Sequence, residues 1–288
     1  MVTCPYCKNS AVWHFNNHRR AYYRCSECDL IFQLMSKSYD DVVAIYRKDY
    51  FDEYSYDQVE GYRVKLYDHI LEIIAQNKKA GMLLDVGTGC GFFLAAAVKR
   101  DWKVKGIEPS MQSAEVARRQ NNVDIFPGTL REYEEKGQFD AITFINVLDH
   151  SAMPWLEIDM AKNLLRPGGL IYLRFPNGFL HSGVYRMACK YGLQNSIRKF
   201  LVFHKYSFTS KYMQRLLQDQ GFIKTTFFNS PPVQGDPYKI FPHPTLSTYV
   251  KRLVHLLANS GQVLSGGQFL LGSSLEVTAV KRVDNDYS

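Results

Sequence analysis

The chain contains no run of apolar residues near the ~20 that a membrane-spanning helix requires, which argues against a bilayer-crossing segment. Its first residues, Met1-Val2-Thr3-Cys4-Pro5, lack the charged-then-apolar layout of a secretory leader, so the expected compartment is the cytoplasm. Thiols stay reduced there, and the six cysteines are not expected to form three disulfides. Internal repeats and low-complexity tracts are missing as well. So is a strong charge bias. A formal balance of +7, smaller still if four cysteines bind metal as thiolates, permits an acidic substrate, an anionic lipid surface or RNA and selects none of them.

With 46% hydrophobic residues over 288 positions, the chain can build one good-sized core plus an appendage. The organising stretch is Leu83-Leu84-Asp85-Val86-Gly87-Thr88-Gly89-Cys90-Gly91. An apolar run from Met82 to Val86 reads as a buried strand, three glycines follow at alternate positions, and Phe92 to Val98 opens a helix. Such a turn lets a ligand lie against bare backbone beyond the strand's carboxyl end. A dinucleotide fingerprint would place its third glycine at position 92, where Phe92 stands, so the pyrophosphate reading fails.

This turn resembles the first motif of the class I S-adenosylmethionine-dependent methyltransferases. Twenty-three residues after Asp85, Glu108 ends the run Val104-Lys105-Gly106-Ile107 where a second strand should stop, and a carboxylate there can accept both ribose hydroxyls. The resemblance continues from Phe139 to His150 and from Leu165 to Leu173, and it covers residues 81 to 282. It implies a Rossmann-like, doubly wound α/β fold: a mostly parallel seven-stranded sheet whose late strands, Phe222 to Asn229 and Ser273 to Arg282, are antiparallel. It also implies S-adenosylmethionine as methyl donor and S-adenosylhomocysteine as product. Asp85, Gly87, Thr88, Gly89 and Gly91 would surround the methionine and ribose, with Glu108 on the ribose hydroxyls. Thr129 and Leu130 would flank the adenine, although Thr129 replaces the acidic residue more usual in the family. Asn146 would face the cofactor from the end of the fourth strand, and Arg63 is a candidate for its carboxylate. A doubly wound domain with another cofactor, or none, is the alternative, since fold alone does not fix chemistry.

Cys4-Pro5-Tyr6-Cys7 and Cys25-Ser26-Glu27-Cys28, separated by seventeen residues, form two C-x2-C pairs that can complete a tetrahedral zinc site. With Cys4, Cys7, Cys25 and Cys28 all ligating, no position is open and the metal is structural. The segment resembles a zinc ribbon, too small to fold without its metal. A redox C-x-x-C is the competing reading. His14 and His18 are expected at the surface.

The expected organisation is a ribbon over 1–35, an aromatic-rich helical lid or linker over 36–80, and a methyltransferase domain over 81–288 with insertions at 177–206 and 230–272. Tyr39, Tyr46, Tyr50, Phe51, Tyr54 and Tyr56 are expected to pack across the domain or to cover the cofactor. Leu66, His69, Ile70, Ile73 and Ile74 recur with helical period before the central strand. Strands are expected near 82–86, 103–108, 123–127, 139–146 and 169–175, and helices near 91–100, 110–121, 130–136 and 153–166. Ser110 and Thr209 are helix caps. A helix around 246–258 sets Leu246, Tyr249, Val250, Leu253 and Leu257 against Lys251, Arg252 and His255. Such a helix can lie on a membrane, but it more often packs on its own protein. Cys90 and Cys189 read as packing residues.

Methyl transfer is an in-line displacement that needs alignment, exclusion of water and removal of the acceptor's proton; it requires no metal. His150, just past the fourth strand, is a candidate base, or else it orders its loop. His204 is a second candidate, or a helix-entry residue, and Asp149 is a third. The N-P-P-Y type motif of enzymes that methylate nucleobase amines is absent, because Asn146 is followed by Val147-Leu148-Asp149. Zinc ribbons on this fold resemble a group of sugar and polysaccharide biosynthetic methyltransferases. The expected acceptor is therefore a small molecule or envelope-glycan precursor, with oxygen favoured over carbon or nitrogen. An RNA methyltransferase using Lys8, His14, His18, Arg19, Arg20 and Arg24 is one alternative, and a non-catalytic ribbon interaction protein is another.

Overall fold

The computed structural model describes residues 1–17, 20–34, 44, 61–134, 138–234 and 244–283. The expected aromatic lid, Tyr39 to Tyr56, lies outside the described residues, as does His18.

In chain order the elements are β1 (Val2–Thr3), β2 (Ser10–Asn17), β3 (Arg20–Cys25), β4 (Ile31–Gln33), α1 (Val64–Asn77), β5 (Met82–Val86), α2 (Phe92–Val98), β6 (Lys103–Ile107), α3 (Met111–Asn121) and β7 (Ile125–Phe126). There follow β8 (Phe139–Ile145), α4 (Pro154–Leu164), β9 (Leu165–Pro176), α5 (Gly178–Lys190), α6 (Gln194–Ile197), β10 (Tyr206–Ser207), α7 (Ser210–Asp219), β11 (Phe222–Asn229), α8 (Pro244–Leu264) and β12 (Ser274–Lys281).

Seven strands form one sheet in the order β11-β12-β9-β8-β5-β6-β7. The five from β9 to β7 are parallel, and β12 and β11 return antiparallel. Strand order therefore reverses at β5: the chain winds outward through β6 and β7, then resumes on the other side with β8. In a doubly wound sheet, that reversal opens a crevice at the carboxyl ends of the strands. The central strands are buried on both faces, as parallel strands covered by helices must be, and Leu83, Leu84, Ala141, Ile142 and Phe144 are fully enclosed. Helix α1 contributes Leu66, Ile70, Leu71, Ile73 and Ile74 at the expected period. Helix α7, capped by Thr209, buries Tyr212, Met213, Leu216 and Leu217 completely. Ser110 caps α3 through the Ser113 N–H at 3.3 Å.

Four expectations are corrected. The helix expected over 130–136 is, among the described residues, a single 3-10 turn, Leu130–Glu132, opened by a capping box in which the Glu132 carboxylate accepts the Thr129 N–H at 2.8 Å. His14 is buried, not at the surface, and desolvation lowers it to about 4. Cys189 is exposed. Helix α8 does not bury its large apolar stripe: Tyr249, Leu253 and Leu257 are exposed, whereas Ser247 and Ala258 are enclosed. The helix is held by polar contacts, with Asn229 Nδ2 donating to the Ala258 carbonyl at 3.1 Å and Gln262 Nε2 to the Phe227 carbonyl at 3.0 Å.

The N-terminal ribbon is not set apart from the main core. Its sheet has the order β1-β2-β3-β4-β10, and the fifth strand comes from the insertion after β9. Tyr206 pairs with Phe32 and Ser207 with Ile31. Cys4, Cys28, Leu30 and Phe32 belong to the same buried cluster as Phe144, Leu173 and Leu216. Tyr6 seals the seam, edge-on to Tyr212 with centroids 5.5 Å apart and donating its hydroxyl to Asp219 at 2.7 Å. A segment too short to bury a core of its own gains one by sharing.

Phe208 stacks on Tyr212 and meets Phe175 edge-on at this seam. Phe208→Ala should cost about 3–5 kcal/mol in urea unfolding, the range for emptying a buried aromatic site. It should also speed amide exchange at Ile31–Gln33; unchanged exchange there would show that ribbon and core are energetically separate.

Candidate functional site

At the carboxyl end of β5 the chain turns through Gly87-Thr88-Gly89-Cys90-Gly91, with the Gly87 and Thr88 N–H groups donating to the Ile107 carbonyl at 2.8 and 3.1 Å. Gly87 has φ +71°, and a Cβ there would stand 2.5 Å from Val147 Cγ2. Gly91 has φ +77°, and its Cβ would meet Ala117 at 2.8 Å and Val123 at 2.9 Å. Only glycine satisfies both the left-handed backbone and the close approach at these two positions.

Two carboxylates lie beneath the turn. Glu108, at the end of β6, is 2% exposed. Its Oε2 accepts the Gly89 N–H at 2.8 Å and its Oε1 the Ser110 N–H at 2.8 Å. Burial pushes the carboxyl up to about 7, the two N–H bonds pull against it, and the neighbouring Asp85 adds to the rise. Asp85 accepts the Thr143 hydroxyl at 2.6 Å. Burial pushes it too up to about 7, opposed by Thr143 and Thr88. Among the described residues, both acids are hydrogen-bonded by hydroxyl and backbone N–H groups and by no cation. Such a pair is poised to receive hydroxyls and positive charge from a ligand.

Thr129 and Leu130 are buried beside this pair, in a loop tied to it by the Gly128 N–H, which donates to the Glu108 carbonyl at 3.1 Å. Asn146, just past β8, adopts φ +58°. It is turned to its neighbour on β9: the Asn146 N–H donates to the Arg174 carbonyl at 2.9 Å and Asn146 Oδ1 accepts Arg174 Nη1 at 2.6 Å. From Arg174 a chain of polar groups runs through the core to half-buried His69. Arg174 Nε donates to Ser230 Oγ at 2.7 Å, and Ser230 Oγ donates to Glu276 Oε1 at 2.6 Å. Glu276 Oε2 meets His69 Nε2 at 3.0 Å. Burial alone would raise the Glu276 carboxyl, yet His69, Ser230 and Arg174 together hold it below its usual value. Arg63, at the start of α1, is half-buried, and its charge acts on Arg174, so it belongs to the same end of the sheet. Sequence reasoning passed over Arg174, Ser230 and Glu276. A charge interrupting the apolar runs Leu170–Phe175 and Leu275–Val280 was the available signal, since an unpaired buried charge is not tolerated.

Asp149, His150 and His204 are brought together. The first two sit in a 3-10 turn, Leu148–His150, and His204 arrives from the segment before β10. His204 Nε2 is 3.4 Å and His150 Nε2 3.8 Å from Asp149 Oδ2, with ring centroids 3.9 Å apart. Burial lowers His204 to about 4, with His150 contributing. Neither Asp149 oxygen, both buried, accepts a hydrogen bond among the described residues.

The four ribbon sulfurs also converge, with all Sγ atoms within 4.8 Å of one another. Cys4 and Cys28 are 3.6 Å apart, and Cys7 and Cys25 are 3.4 Å apart. Thiolates sharing one tetrahedral zinc at about 2.3 Å would stand roughly 3.8 Å from each other, so the cluster fits such an ion.

The description "Methyltransferase domain" matches residues 58–226, more than half of the chain. The protein belongs to the methyltransferase family. The expected class I fold, with its antiparallel late strands, is therefore met in both family and architecture. Curated relatives include proteins named ubiquinone biosynthesis O-methyltransferase. The one from Saccharophagus degradans is 32% identical over 113 residues, 35% of this chain and 48% of its own length. The one from Pseudomonas paraeruginosa is 31% identical over 119 residues, 36% of this chain and 51% of its own. This methyltransferase thus spans about half the length of the curated relatives it matches. Among solved structures, the Burkholderia thailandensis 1,6-didemethyltoxoflavin-N1-methyltransferase, with bound 1,6-didemethyltoxoflavin and S-adenosylhomocysteine, superposes with TM-score 0.54. It is 15% identical, covering 94% of this chain and 99% of that one, and the likeness is one of fold.

Gly87→Ala tests the turn. The left-handed backbone alone should cost about 1–2 kcal/mol, and the Val147 contact adds to it. Val147→Ala in the same chain should recover only the contact part, read as a partial return of the urea midpoint at constant slope.

Proposed function

We propose that this methyltransferase carries a methyl group from S-adenosylmethionine to an oxygen of a small molecule or envelope-glycan precursor. The observation that carries the reading is the pair of buried acids, Asp85 and Glu108, under a turn that only glycine can form. A ligand with a ribose diol and a cationic amino acid answers both needs: the diol donates to Glu108, and the positive charge offsets carboxylates that burial has made costly. When bound, S-adenosylmethionine supplies a methyl group already activated on a sulfonium. The chain's residues then have four tasks. Gly87, Thr88, Gly89 and Gly91 hold the amino-acid and ribose parts by backbone, Thr129 and Leu130 bound the adenine, and Arg63 is the group for the carboxylate. Asn146, fixed by Arg174, sets the wall between donor and acceptor. Asp149, His150 and His204 form the acceptor side, where a hydroxyl must be held and stripped of its proton.

The names of the curated relatives support an oxygen acceptor of small size. The RNA alternative loses two of its six basic groups: His14 is buried, and Arg24 is committed to Asp29 at 2.6 Å. Among the described residues, no helix is long and apolar enough to cross a membrane.

Calorimetric titration with S-adenosylhomocysteine checks the ribose contact. Glu108→Gln should weaken binding by about tenfold or more, since hydrogen bonds to a charged group contribute about 1.5–3 kcal/mol; unchanged affinity would remove the assignment. The pH dependence has a definite sign. A carboxyl raised to about 7 is protonated below that value and is then a poorer acceptor. Wild-type affinity should fall from pH 8 to pH 6, and the slope should flatten in Glu108→Gln.

A further inference from the structure

The acceptor side carries more than a pair of histidines. Asp149, His150 and His204 each offer one ligand atom, and the three atoms lie within 4.8 Å of one another. The His204 Nε2 to Asp149 Oδ2 separation of 3.4 Å and the His150 Nε2 to Asp149 Oδ2 separation of 3.8 Å exceed the roughly 2.7–2.9 Å of a charge-assisted hydrogen bond. They approximate a different geometry. Nitrogen and oxygen ligands about 2.0–2.1 Å from one tetrahedral ion stand roughly 3.3–3.4 Å apart. The second observation is independent of these distances: Asp149 is 1% exposed, yet neither of its carboxylate oxygens accepts a hydrogen bond among the described residues. A buried carboxylate in that condition is costly unless a charge answers it.

We propose that Asp149, His150 and His204 bind a divalent first-row transition-metal ion, with its open positions taken by oxygen atoms of the acceptor. Two imidazoles and one carboxylate favour ions such as zinc or iron(II) over magnesium or calcium, and three protein ligands leave room for a substrate. Its consequence for the acceptor rests on the functional reading above. A hydroxyl bound to the ion becomes more acidic, its proton passes to solvent water, and the oxygen is left as the nucleophile while the metal keeps its oxidation state. Arg174, whose charge also reaches Asp149, does not replace the ion, because its hydrogen bonds go to Asn146 and Ser230 and Glu276 balances its charge. The support for the third ligand is built in. Lys205 Nζ and the Tyr206 hydroxyl, next in the chain after His204, both donate to the Ala152 carbonyl at 3.0 Å, and β10 is pinned to β4. His204 is thereby held to the turn that carries Asp149 and His150.

The test is cobalt(II) titration of the full-length protein, followed by absorption. Cobalt on the ribbon cysteines gives a thiolate charge-transfer band, whereas cobalt on imidazole and carboxylate gives ligand-field bands alone, so the two sites are told apart. The expected result is one saturable equivalent of the second kind, lost in His204→Ala and in Asp149→Asn while any thiolate band and S-adenosylhomocysteine binding stay unchanged. Asp149→Asn removes the charge at constant shape, and His204→Ala, at a partly exposed position, carries the test if the Asp149 variant fails to fold. Absence of the second equivalent from the wild-type protein, or its persistence in His204→Ala, overturns the metal site. Donor binding is read separately, so a protein that binds cobalt there but not S-adenosylhomocysteine would instead overturn the functional reading.

Discussion

The Glu108 carboxylate, taken from water and gripped by the N–H groups of Gly89 and Ser110, is the contact on which the rest of the site depends. It joins the end of β6 to the turn after β5 and to the cap of α3, so three elements meet at one side chain. Burying an acid without a cation is unfavourable, and the protein meets that cost with backbone dipoles and the Thr143 hydroxyl on the neighbouring Asp85. The resulting arrangement is held by the protein's own groups. Preorganised groups lose little freedom on binding, so the interaction with a polar ligand is not spent on ordering the pocket.

What could be read from the sequence followed local chemistry. The glycine spacing, the acid after the second strand, the caps Ser110 and Thr209 and the inward face of α7 are each set by residues a few positions apart. Their structural places followed directly. The Arg174, Ser230, Glu276 and His69 chain is different in kind, because its members come from four elements separated by tens to hundreds of positions. An isolated arginine in an apolar strand announces that a partner exists without saying which. The turn at Leu130–Glu132 carries a helix-start signal, the Thr129–Glu132 capping box, without the run of inward apolar residues that would extend it. For α8, amphipathic periodicity gave the helix but not its buried side. Asn229 and Gln262 orient it through hydrogen bonds that no hydrophobicity pattern encodes.

The union of ribbon and insertion also escaped a linear reading. Two residues, Tyr206 and Ser207, would hardly be recognised as a strand alone; they become one because β4 offers a free edge. The pairing does more than complete a sheet. It fixes the approach of His204 to Asp149 and places the cysteine cluster in the same hydrophobic body as the strands around the glycine turn. The N-terminal module is therefore a buttress for the turn that carries Asp149 and His150, sharing its core with the main sheet.

That joint edge has a consequence for anyone who shortens the chain. Removing residues 1–34 would strip β10 of its cross-strand neighbour β4 and uncover the aromatic ladder of Tyr206, Phe208 and Tyr212. Open backbone beside a bare apolar surface is a template for self-association, so a trimmed catalytic half is a candidate for inclusion bodies.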